Sequence, residues 1–362
     1  MTRWMEQQGG SAGRGSHEAA TEASGVVERT RSKLATLLGT QPDGIVWTQN
    51  GTEAINLPLL GLLKPGDHVV TTVTEHNSVL RPLEALRRHR QVEVSHVECD
   101  RAGCISVDSV LGELTQSTRL VVISHVSNVT GAIQPWASLI EPLKERGTFL
   151  MIDAAQSTGH LELDLGETPV DCLASSGHKG LLGPLGTGFV YMSPEIREKV
   201  EPLRYGGTGS QSHELTLPER SPERFEAGNL NGPALAGLEA ALDYRQEVGP
   251  TNMHAHLDEL TGQMRQGLAA VPGVSLLAPT KERHSGPVSF TAEGFDSREF
   301  ATILEASFGI QVRAGYHCAA LIHERIGSAT YGGTVRASLG PFNKTEDVGC
   351  LVEAVREVTG GC

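Results

Sequence analysis

The sequence is poor in several features that would assign it to particular classes of protein. Aromatic residues make up only 4% of the chain, so a core must rely on Leu, Val, Ile and Ala. No uninterrupted apolar run approaches the ~18 residues needed to span a bilayer. No dense block of Lys or Arg offsets the net charge of -13, which argues against binding to nucleic acid. We therefore expect a protein without a membrane or nucleic-acid partner.

Sequence signatures of several common sites are also missing. No Gly-x-Gly-x-x-Gly follows a predicted strand and no Walker loop is present, which argues against the usual nucleotide sites. The six cysteines form no Cys-x-x-Cys pair, and the group His317, Cys318 and His323 lacks an evident fourth zinc ligand, so no metal is expected. The polar segment at residues 1–10 lacks the apolar stretch of a secretory signal. These absences favour free thiols and a cytoplasmic location.

What the sequence does contain is an alternation of short apolar runs with helical stretches. The apolar runs that predict strands in the first part of the chain span residues 45–47, 69–71, 120–124, 149–152, 172–174 and 188–191. Helical patterns follow the first two runs, from about Glu53 to Leu63 and after His76. Alternating strands and helices predict an α/β fold with a mostly parallel sheet flanked by helices.

A second, smaller α/β portion is expected towards the C-terminus. From about Pro233 a long helical pattern runs through Leu238 and Leu260, followed by an apolar run at 287–290 and a final helix near 351–358. A chain of 362 residues is long enough for one large domain and a smaller one. We predict a large domain over residues 18–240 and a small domain over residues 241–362, with residues 1–17 packing on the small domain.

Polar residues follow each of the first three strands of the predicted sheet. In an open parallel sheet, ligands bind beyond the carboxyl ends of the strands. Gly51 and Thr52 open a helix there, and could bind an anion or form an ordinary N-cap. His76 could stack on a flat aromatic ligand or serve as a surface or cap residue. Asn128 could donate an amide hydrogen bond to a ligand or form a turn.

An acid and a lysine follow the next two strands. Asp153 directly follows an apolar run, where a carboxylate needs a partner. A protonated pyridine nitrogen, a metal ion or a helix N-terminus would each supply one. Ser176 and His178 could bind phosphate, and Lys179 could form a Schiff base if desolvated or remain a solvated loop lysine. An anion site, a stacking histidine, an acid and a lysine together describe a site for pyridoxal 5'-phosphate (PLP).

Near the C-terminus a cysteine lies among basic residues. Cys318 follows His317 and lies close to Arg313, a setting that favours the thiolate, whereas a buried inert cysteine is the alternative. Arg336 lies inside an apolar strand pattern, where it needs an anionic partner. That partner is either a substrate carboxylate or an internal salt bridge. The cluster therefore offers a candidate nucleophile and a candidate carboxylate-binding site.

These motifs occur in order along nearly the whole chain and together resemble those of a known family. They are Asn50-Gly51-Thr52-Glu53-Ala54-Ile55-Asn56, Glu75-His76-Asn77-Ser78, Ser127-Asn128-Val129-Thr130-Gly131, Asp153-Ala154-Ala155-Gln156, Ser176-Gly177-His178-Lys179, Arg224-Phe225-Glu226-Ala227-Gly228, Arg313-x-Gly-x-His-Cys318 and Val335-Arg336-Ala337-Ser338. The chain resembles the class V aminotransferases, and specifically the group II cysteine desulfurases and selenocysteine lyases. The resemblance implies PLP-dependent transferase fold type I, with a mostly parallel seven-stranded sheet flanked by helices and a smaller α/β C-terminal domain. It also implies a homodimer with sites near the subunit interface.

The resemblance implies a set of cofactor-binding residues. They are Gly51, Thr52, His76, Asn128, Asp153, Gln156, Ser176, His178, Lys179 and Asn229. Lys179 would bind the cofactor covalently, Asp153 would pair with the pyridine nitrogen, and Gln156 would approach the ring hydroxyl. His76 would stack on the ring and shuttle protons. The residues implied for the phosphate are Thr52, Ser176 and His178.

The resemblance also implies a reaction, the conversion of L-cysteine to L-alanine with sulfur left on Cys318 as a persulfide. Lys179 and His76 would be the other catalytic residues, with Lys179 removing the α-proton. The residues implied for the substrate carboxylate are Asn128, Arg336 and Arg313. A reductant or a sulfur-acceptor protein would then take the sulfur. Selenocysteine lyase, or another class V enzyme such as an aminotransferase or epimerase, is the alternative within the same fold.

Three departures from the family pattern are visible. Asn229 stands where the family usually has a Thr that reaches the phosphate of the partner subunit, and Ala320 stands where many relatives have Pro. The family also begins with a strand that precedes the segment at Gly13, and a late start codon, a truncation or a genuine loss would each explain its absence. A loss predicts an incomplete site mouth. A weakly active sulfur carrier or scaffold is therefore the alternative from another class of function.

Overall fold

A computed structural model of the chain describes residues 1–7, 9–278, 280 and 283–360, so that Cys362 lies outside the described residues. The helices are α1 (Thr2–Gln7), α2 (Glu18–Leu37), α3 (Gly51–Leu62), α4 (Asn77–Arg90), α5 (Val107–Gly112), α6 (Ile140–Glu145), α7 (Pro194–Arg197), α8 (Gly232–Val248), α9 (Pro250–Ala269), α10 (Ser297–Phe308), α11 (Ile322–Arg325) and α12 (Thr345–Gly360). The strands are β1 (Ile45–Thr48), β2 (His68–Thr72), β3 (Glu93–Val97), β4 (Thr118–Ser124), β5 (Phe149–Asp153), β6 (Cys172–Ser176), β7 (Gly188–Met192), β8 (Val274–Leu276), β9 (Val288–Ala292), β10 (Arg313–Gly315) and β11 (Thr334–Ala337).

Seven strands form one sheet in the order β1-β7-β6-β5-β4-β2-β3. Neighbours from β6 to β3 are parallel, whereas β7 runs antiparallel to both β6 and β1. The predicted α/β fold with a mostly parallel sheet is therefore confirmed. The apolar-run pattern does not predict β3 because this edge strand carries Glu93 and an exposed His96 rather than a continuous run of apolar residues.

Two apolar clusters pack on opposite faces of this sheet. Successive side chains of a strand point to opposite faces, so Val121 and Ile123 of β4 enter one cluster, whereas Leu120 and Val122 enter the other. The first cluster includes residues of α2 and α8, and the second includes residues of α3 and α4. Helices thus cover both faces, which is why strands such as β4 and β5 are almost continuously apolar.

The C-terminal portion is a four-stranded antiparallel sheet in the order β10-β11-β9-β8. A third apolar cluster, with residues of α9, α10 and α12, covers it. The long helical pattern predicted here is two helices, because Gly249 adopts a φ of 87° and Pro250 begins α9. The predicted domain boundary after residue 240 falls inside α8, and the division into two domains stays a prediction.

The N-terminal segment packs on the large sheet domain. Trp4 is 4% exposed and clusters with Ala23 and Val26 of α2, while Gly232 leaves room for its indole ring at the start of α8. Arg14 donates a hydrogen bond to the carbonyl oxygen of Gly207. These contacts of residues 1–17 are made with residues in the range 18–240, rather than with the small domain predicted over 241–362, because the apolar Trp4 is buried between α2 and the start of α8. No helix in the described ranges has the length and apolar character to cross a membrane.

Candidate active site

A cavity of about 240 Å³ opens where β2, β4, β5 and β6 end. Most of the residues proposed above for the site line it together: Gly51, Thr52, His76, Asn128, Asp153, Gln156, Ser176, His178, Lys179 and Arg313. The parallel strands explain this convergence, since their carboxyl ends meet at one edge of the sheet. Asn229, Cys318 and Arg336 are not among the residues that line this cavity.

Of the acid and the lysine predicted at the strand ends, Asp153 is buried and Lys179 is half-buried. Asp153 ends β5 and is 6% exposed, and its Oδ1 accepts a hydrogen bond of 2.9 Å from the backbone N–H of Ala155. Burial lowers the pKa of the Lys179 amine, although the nearby Asp153 carboxylate acts in the opposite direction. A lowered pKa leaves more of the amine neutral, which is the form that can attack a carbonyl carbon or accept a proton.

One end of the cavity is suited to a phosphate group. The hydroxyl of Ser176 is buried and, among the described residues, has no hydrogen-bond partner. The N-terminus of α3 faces the same space through Gly51 and Thr52, after Asn50 caps the helix by accepting from the backbone N–H of Glu53 at 2.9 Å. A buried hydroxyl requires a partner, and a helix N-terminus favours an anion. With the buried Asp153 available to a protonated ring nitrogen, the residues present fit PLP.

The hydrogen bonds of His76, the histidine predicted to stack on the cofactor ring, determine which of its ring nitrogens carries the proton. His76 caps α4, and its Nδ1 accepts a 3.0 Å hydrogen bond from the backbone N–H of Ser78. The Ser78 hydroxyl lies 2.8 Å from the same nitrogen and 2.8 Å from the hydroxyl of Thr52. The neutral ring therefore carries its proton on Nε2. Burial lowers the pKa of His76, which favours this neutral form.

A buried carboxyl group supports the floor of the cavity. Glu75 is fully buried and accepts hydrogen bonds from the hydroxyl of Thr72 and from both the backbone N–H and the hydroxyl of Ser124. Ser124 lines the cavity and pairs in register with Asp153. The sequence pattern assigned no role to Glu75, although Glu75 directly precedes His76 in the motif Glu75-His76-Asn77-Ser78. Its position after a predicted strand was the available signal, and its burial could not be read from the sequence.

The loop that carries Cys318 is hydrogen-bonded to the segments that follow β2 and β4. His317 and Cys318 adopt left-handed φ values of 48° and 60°. The carbonyl oxygen of Cys318 accepts from the backbone N–H of Asn77 at 2.6 Å, and that of His317 accepts from the Asn128 amide at 2.7 Å. The side chain of Cys318 is exposed, and its Sγ accepts from Nη2 of Arg313 at 3.2 Å. The thiol is thus held near a residue of the cavity wall.

Arg336, one of the three residues predicted to hold a substrate carboxylate, interacts with the other two, Asn128 and Arg313. Arg336 on β11 donates from Nη1 to the backbone carbonyl of Asn128 at 2.8 Å, and its Nε is buried without a partner among the described residues. Burial and the charge of Arg313 lower the pKa of Arg336 to about 10, so the guanidinium stays positive at neutral pH. An unsatisfied, positively charged donor next to the cavity residue Asn128 suits an anionic group of a substrate.

Asn229 is exposed and lies outside the cavity of its own chain. Its predicted role in contacting a phosphate stays a prediction. Across the part of the chain that the structure describes, no group of three or more His, Cys, Asp or Glu residues could hold a metal ion.

Comparison with known proteins places these motifs in context. Residues 1–351 match the family model described as aminotransferase class-V. A probable cysteine desulfurase of Methanothermobacter thermautotrophicus is 33% identical over 99% of this chain and 90% of its own length. The cysteine desulfurase of Haloferax volcanii is 31% identical over 94% of this chain and 81% of its own length.

Solved structures give the same result. The apo cysteine desulfurase of Thermococcus onnurineus superposes with a TM-score of 0.92 at 31% identity, covering 100% of this chain and 90% of that one. The cysteine desulfurase CsdA of Escherichia coli, in its S-sulfonic acid form, superposes with a TM-score of 0.87 at 28% identity, covering 98% and 89%. The likeness extends over the whole length of this chain.

Proposed function

The chain belongs to the aminotransferase class-V family, and we propose that it is a PLP-dependent cysteine desulfurase that transfers sulfur from L-cysteine to Cys318. The observation that carries the proposal is that a half-buried lysine, a buried aspartate and an unsatisfied serine hydroxyl line one cavity. The curated relatives reported above, both above 30% identity, and the two solved structures reported above are named cysteine desulfurases or probable cysteine desulfurases, which supports this activity over others in the family.

The residues of the cavity would hold the cofactor at three points. Thr52, Ser176 and His178 would bind its phosphate, Lys179 would bind it covalently, and Asp153 would keep a proton on its ring nitrogen. The neutral ring of His76 would cover one face of the pyridine ring. When bound, PLP supplies an electron sink for the bonds at the substrate α-carbon.

The remaining residues would position the substrate and take its sulfur. Arg336, whose Nε has no partner among the described residues, would together with Arg313 hold the carboxylate of L-cysteine. The amine of Lys179, with its lowered pKa, would take the α-proton. The Cys318 thiolate would attack the substrate sulfur, so that an S–S bond forms, the C–S bond breaks and its electron pair stays with the carbon that becomes alanine's methyl group after protonation.

Three further features belong to the proposal. The exposed side chain of Cys318 would allow a reductant or a sulfur-acceptor protein to remove the sulfur. Asn229 is exposed and outside its own cavity, so a contact with cofactor would require a second copy of the chain, in keeping with a homodimer. A cytoplasmic location is also proposed, and it rests on the free cysteines among the described residues.

The proposal is tested by alanine production from L-cysteine with a reductant present. Purified protein with added PLP should absorb in the visible range, and Lys179→Ala should abolish that absorbance while Lys64→Ala, at an exposed lysine, keeps it. Cys318→Ala should lower alanine formation by on the order of 100-fold or more, because the nucleophile is lost. Cys350→Ala removes another exposed free thiol and should leave the rate unchanged.

Full alanine production by Cys318→Ala would exclude this cysteine as the sulfur acceptor. Visible absorbance that persists in Lys179→Ala would exclude this lysine as the cofactor-binding residue. Repeating the assay with L-selenocysteine separates a desulfurase from a selenocysteine lyase, since a lyase would keep its rate with selenocysteine in the Cys318→Ala variant.

A further inference from the structure

A buried arginine outside the cavity joins the two chain segments that flank it. Arg245 on α8 is 5% exposed. Its Nη1 donates to the carbonyl oxygen of Gly180 at 2.6 Å, and its Nη2 donates to that of Gly159 at 2.5 Å. Nη1 also lies 3.1 Å from the sulfur of Met253 on α9. One planar guanidinium thus bridges two backbone segments that are 21 residues apart in sequence and reaches the next helix.

The two bridged carbonyls belong to residues next to the site. Gly180 directly follows Lys179, and Gly159 lies three positions after the cavity residue Gln156, on the segment that begins at Asp153. A guanidinium that holds both carbonyls therefore holds the lysine side of the cavity against its aspartate side.

The backbones of these two segments touch directly. Gly159 has a φ of 85°, and a Cβ atom there would lie 2.4 Å from the carbonyl oxygen of Gly180. A Cβ atom on Gly180 would in turn lie 2.5 Å from the carbonyl oxygen of Thr158. At such a crossing carbonyl oxygens converge, and a shared cationic donor between them offsets their mutual repulsion.

The guanidinium of Arg245 donates only to neutral acceptors among the described residues. Within the described ranges its hydrogen-bond acceptors are the two carbonyl oxygens and the Met253 sulfur, and no acidic side chain pairs with it. Burial lowers the pKa of Arg245. A buried cation without a carboxylate is costly, so a site that needed only apolar filling would not favour arginine.

We propose that Arg245 is a positioning residue that sets the placement of Lys179 relative to Asp153 and Gln156 by clamping the backbone of Gly180 to that of Gly159. The inference rests on the proposed function, because it assigns Lys179 and Asp153 to opposite sides of one bound cofactor. Through Met253, the same side chain connects this placement to α9 and so to the C-terminal portion of the chain.

The test compares Arg245→Met and Arg245→Lys with Arg29→Met, a control at an exposed arginine that pairs with Glu239 on the surface. Methionine fills the space without donors, and lysine keeps the charge but cannot fork between two carbonyls. Both Arg245 variants should lower kcat for alanine formation by about 10- to 100-fold with KM changed far less, because the reacting groups are displaced rather than removed. Arg29→Met should match the wild type.

A second measurement does not require the loaded enzyme. In the full-length, cofactor-free protein, the pH dependence of Lys179 acylation, followed by mass spectrometry, reports on the environment of its amine. Loss of the Arg245 hydrogen bonds in Arg245→Met should release the loop at Gly180 and expose the Lys179 amine to water. The pH midpoint of Lys179 acylation should then rise by about one unit. Thermal unfolding of each variant shows that it is folded. In a third variant, Arg245→Ala, millimolar guanidinium ion should restore part of the rate of alanine formation, whereas ammonium ion should not.

Unchanged acylation midpoints and rates in folded Arg245→Met and Arg245→Lys would overturn the proposal. So would rate losses that follow thermal stability alone and are not rescued by guanidinium. If the proposed function itself is wrong, the wild type will show neither visible absorbance with added PLP nor alanine production. The pH dependence of Lys179 acylation can still be compared between the variants in that case.

Discussion

Glu75 shows how one buried side chain couples the site to pH. It is fully buried, and burial raises its pKa to about 7, although hydrogen bonds from Ser124 and Thr72 oppose this shift. Asp153 raises the pKa further by charge repulsion. Below neutral pH the group is therefore largely protonated, and Asp153 then faces a neutral neighbour beneath the cavity.

This raised pKa predicts a specific dependence of stability on pH. The folded state holds the Glu75 proton up to about pH 7, while an unfolded chain releases it near pH 4.5, so the stabilisation is complete below pH 4.5 and is lost as pH rises through 7. Glu75→Gln keeps an acceptor for Ser124 but cannot titrate. The free energy of unfolding of wild type minus variant should fall by about 3 kcal/mol from pH 4.5 to 7.5.

Chemical denaturation at several pH values measures this difference. Glu346→Gln changes an exposed glutamate and should give a curve parallel to that of the wild type. Parallel curves for wild type and Glu75→Gln would contradict the assignment of a near-neutral pKa to Glu75.

The loop that directly follows β10 has a shape that depends on contacts to other parts of the chain. Two successive non-glycine residues, His317 and Cys318, hold left-handed backbone angles, which are unfavourable without support. The support comes from Asn77 and Asn128, which follow strands β2 and β4, and from Thr334 on β11, which hydrogen-bonds the ring of His317. These contacts hold the loop in its shape.

Asn128→Ala should loosen this loop without unfolding the chain. It removes the donor to the carbonyl of His317, a loss of about 0.5–1.5 kcal/mol. The amide proton of Asn77, which bonds to the carbonyl of Cys318, should then exchange with solvent roughly 2- to 10-fold faster.

Hydrogen exchange followed by mass spectrometry or NMR measures this change. The amide of His125, which donates to the carbonyl of Asp153 within the large sheet, serves as the internal reference and should be unaffected. Equal exchange of Asn77 in both proteins would show that the Asn128 amide does not hold the loop.

A buried ion pair joins distant parts of the whole chain. Nη1 and Nη2 of Arg31 on α2 donate to Oε1 and Oε2 of Glu226, at 2.8 and 2.9 Å. Both side chains are almost fully buried. Glu226 also accepts from the backbone N–H of Trp47 at 2.6 Å, and Arg31 donates to the carbonyl of Ile45. The pair thus links α2, β1 and the segment before α8.

Removal of one partner of this pair should strongly destabilise the fold. Arg31→Met leaves the Glu226 carboxylate buried without its cation and should lower the free energy of unfolding by about 3–5 kcal/mol. Adding Glu226→Gln removes the stranded charge and keeps an acceptor for Trp47, so the double variant should be more stable than Arg31→Met alone. Arg29→Met, at a surface pair, should cost no more than about 1 kcal/mol.

Denaturant unfolding of the wild type, Arg31→Met, Glu226→Gln and the double variant completes a double-mutant cycle. Additive effects of Arg31→Met and Glu226→Gln would show that the two side chains do not interact energetically.

The sequence by itself determined the α/β class, most strands of the large sheet and most of the cavity residues. These predictions depend on local patterns: a buried strand is a run of apolar residues, and polar residues placed just after parallel strands meet at one edge of the sheet. Gly51, Asp153 and Lys179 could therefore be assigned to one site although they lie far apart in the chain.

Only the tertiary structure decided which distant groups touch. The reversed direction of β7, the position of Trp4 on α2, the pairing of Arg31 with Glu226 and the clamp by Arg245 leave no local pattern in the sequence. An arginine in a helix has the same sequence signature whether it faces water or bridges two backbone carbonyls. Its environment is set by the packing of helices against the sheet, since burial and hydrogen-bond geometry arise only when segments far apart in the chain come together.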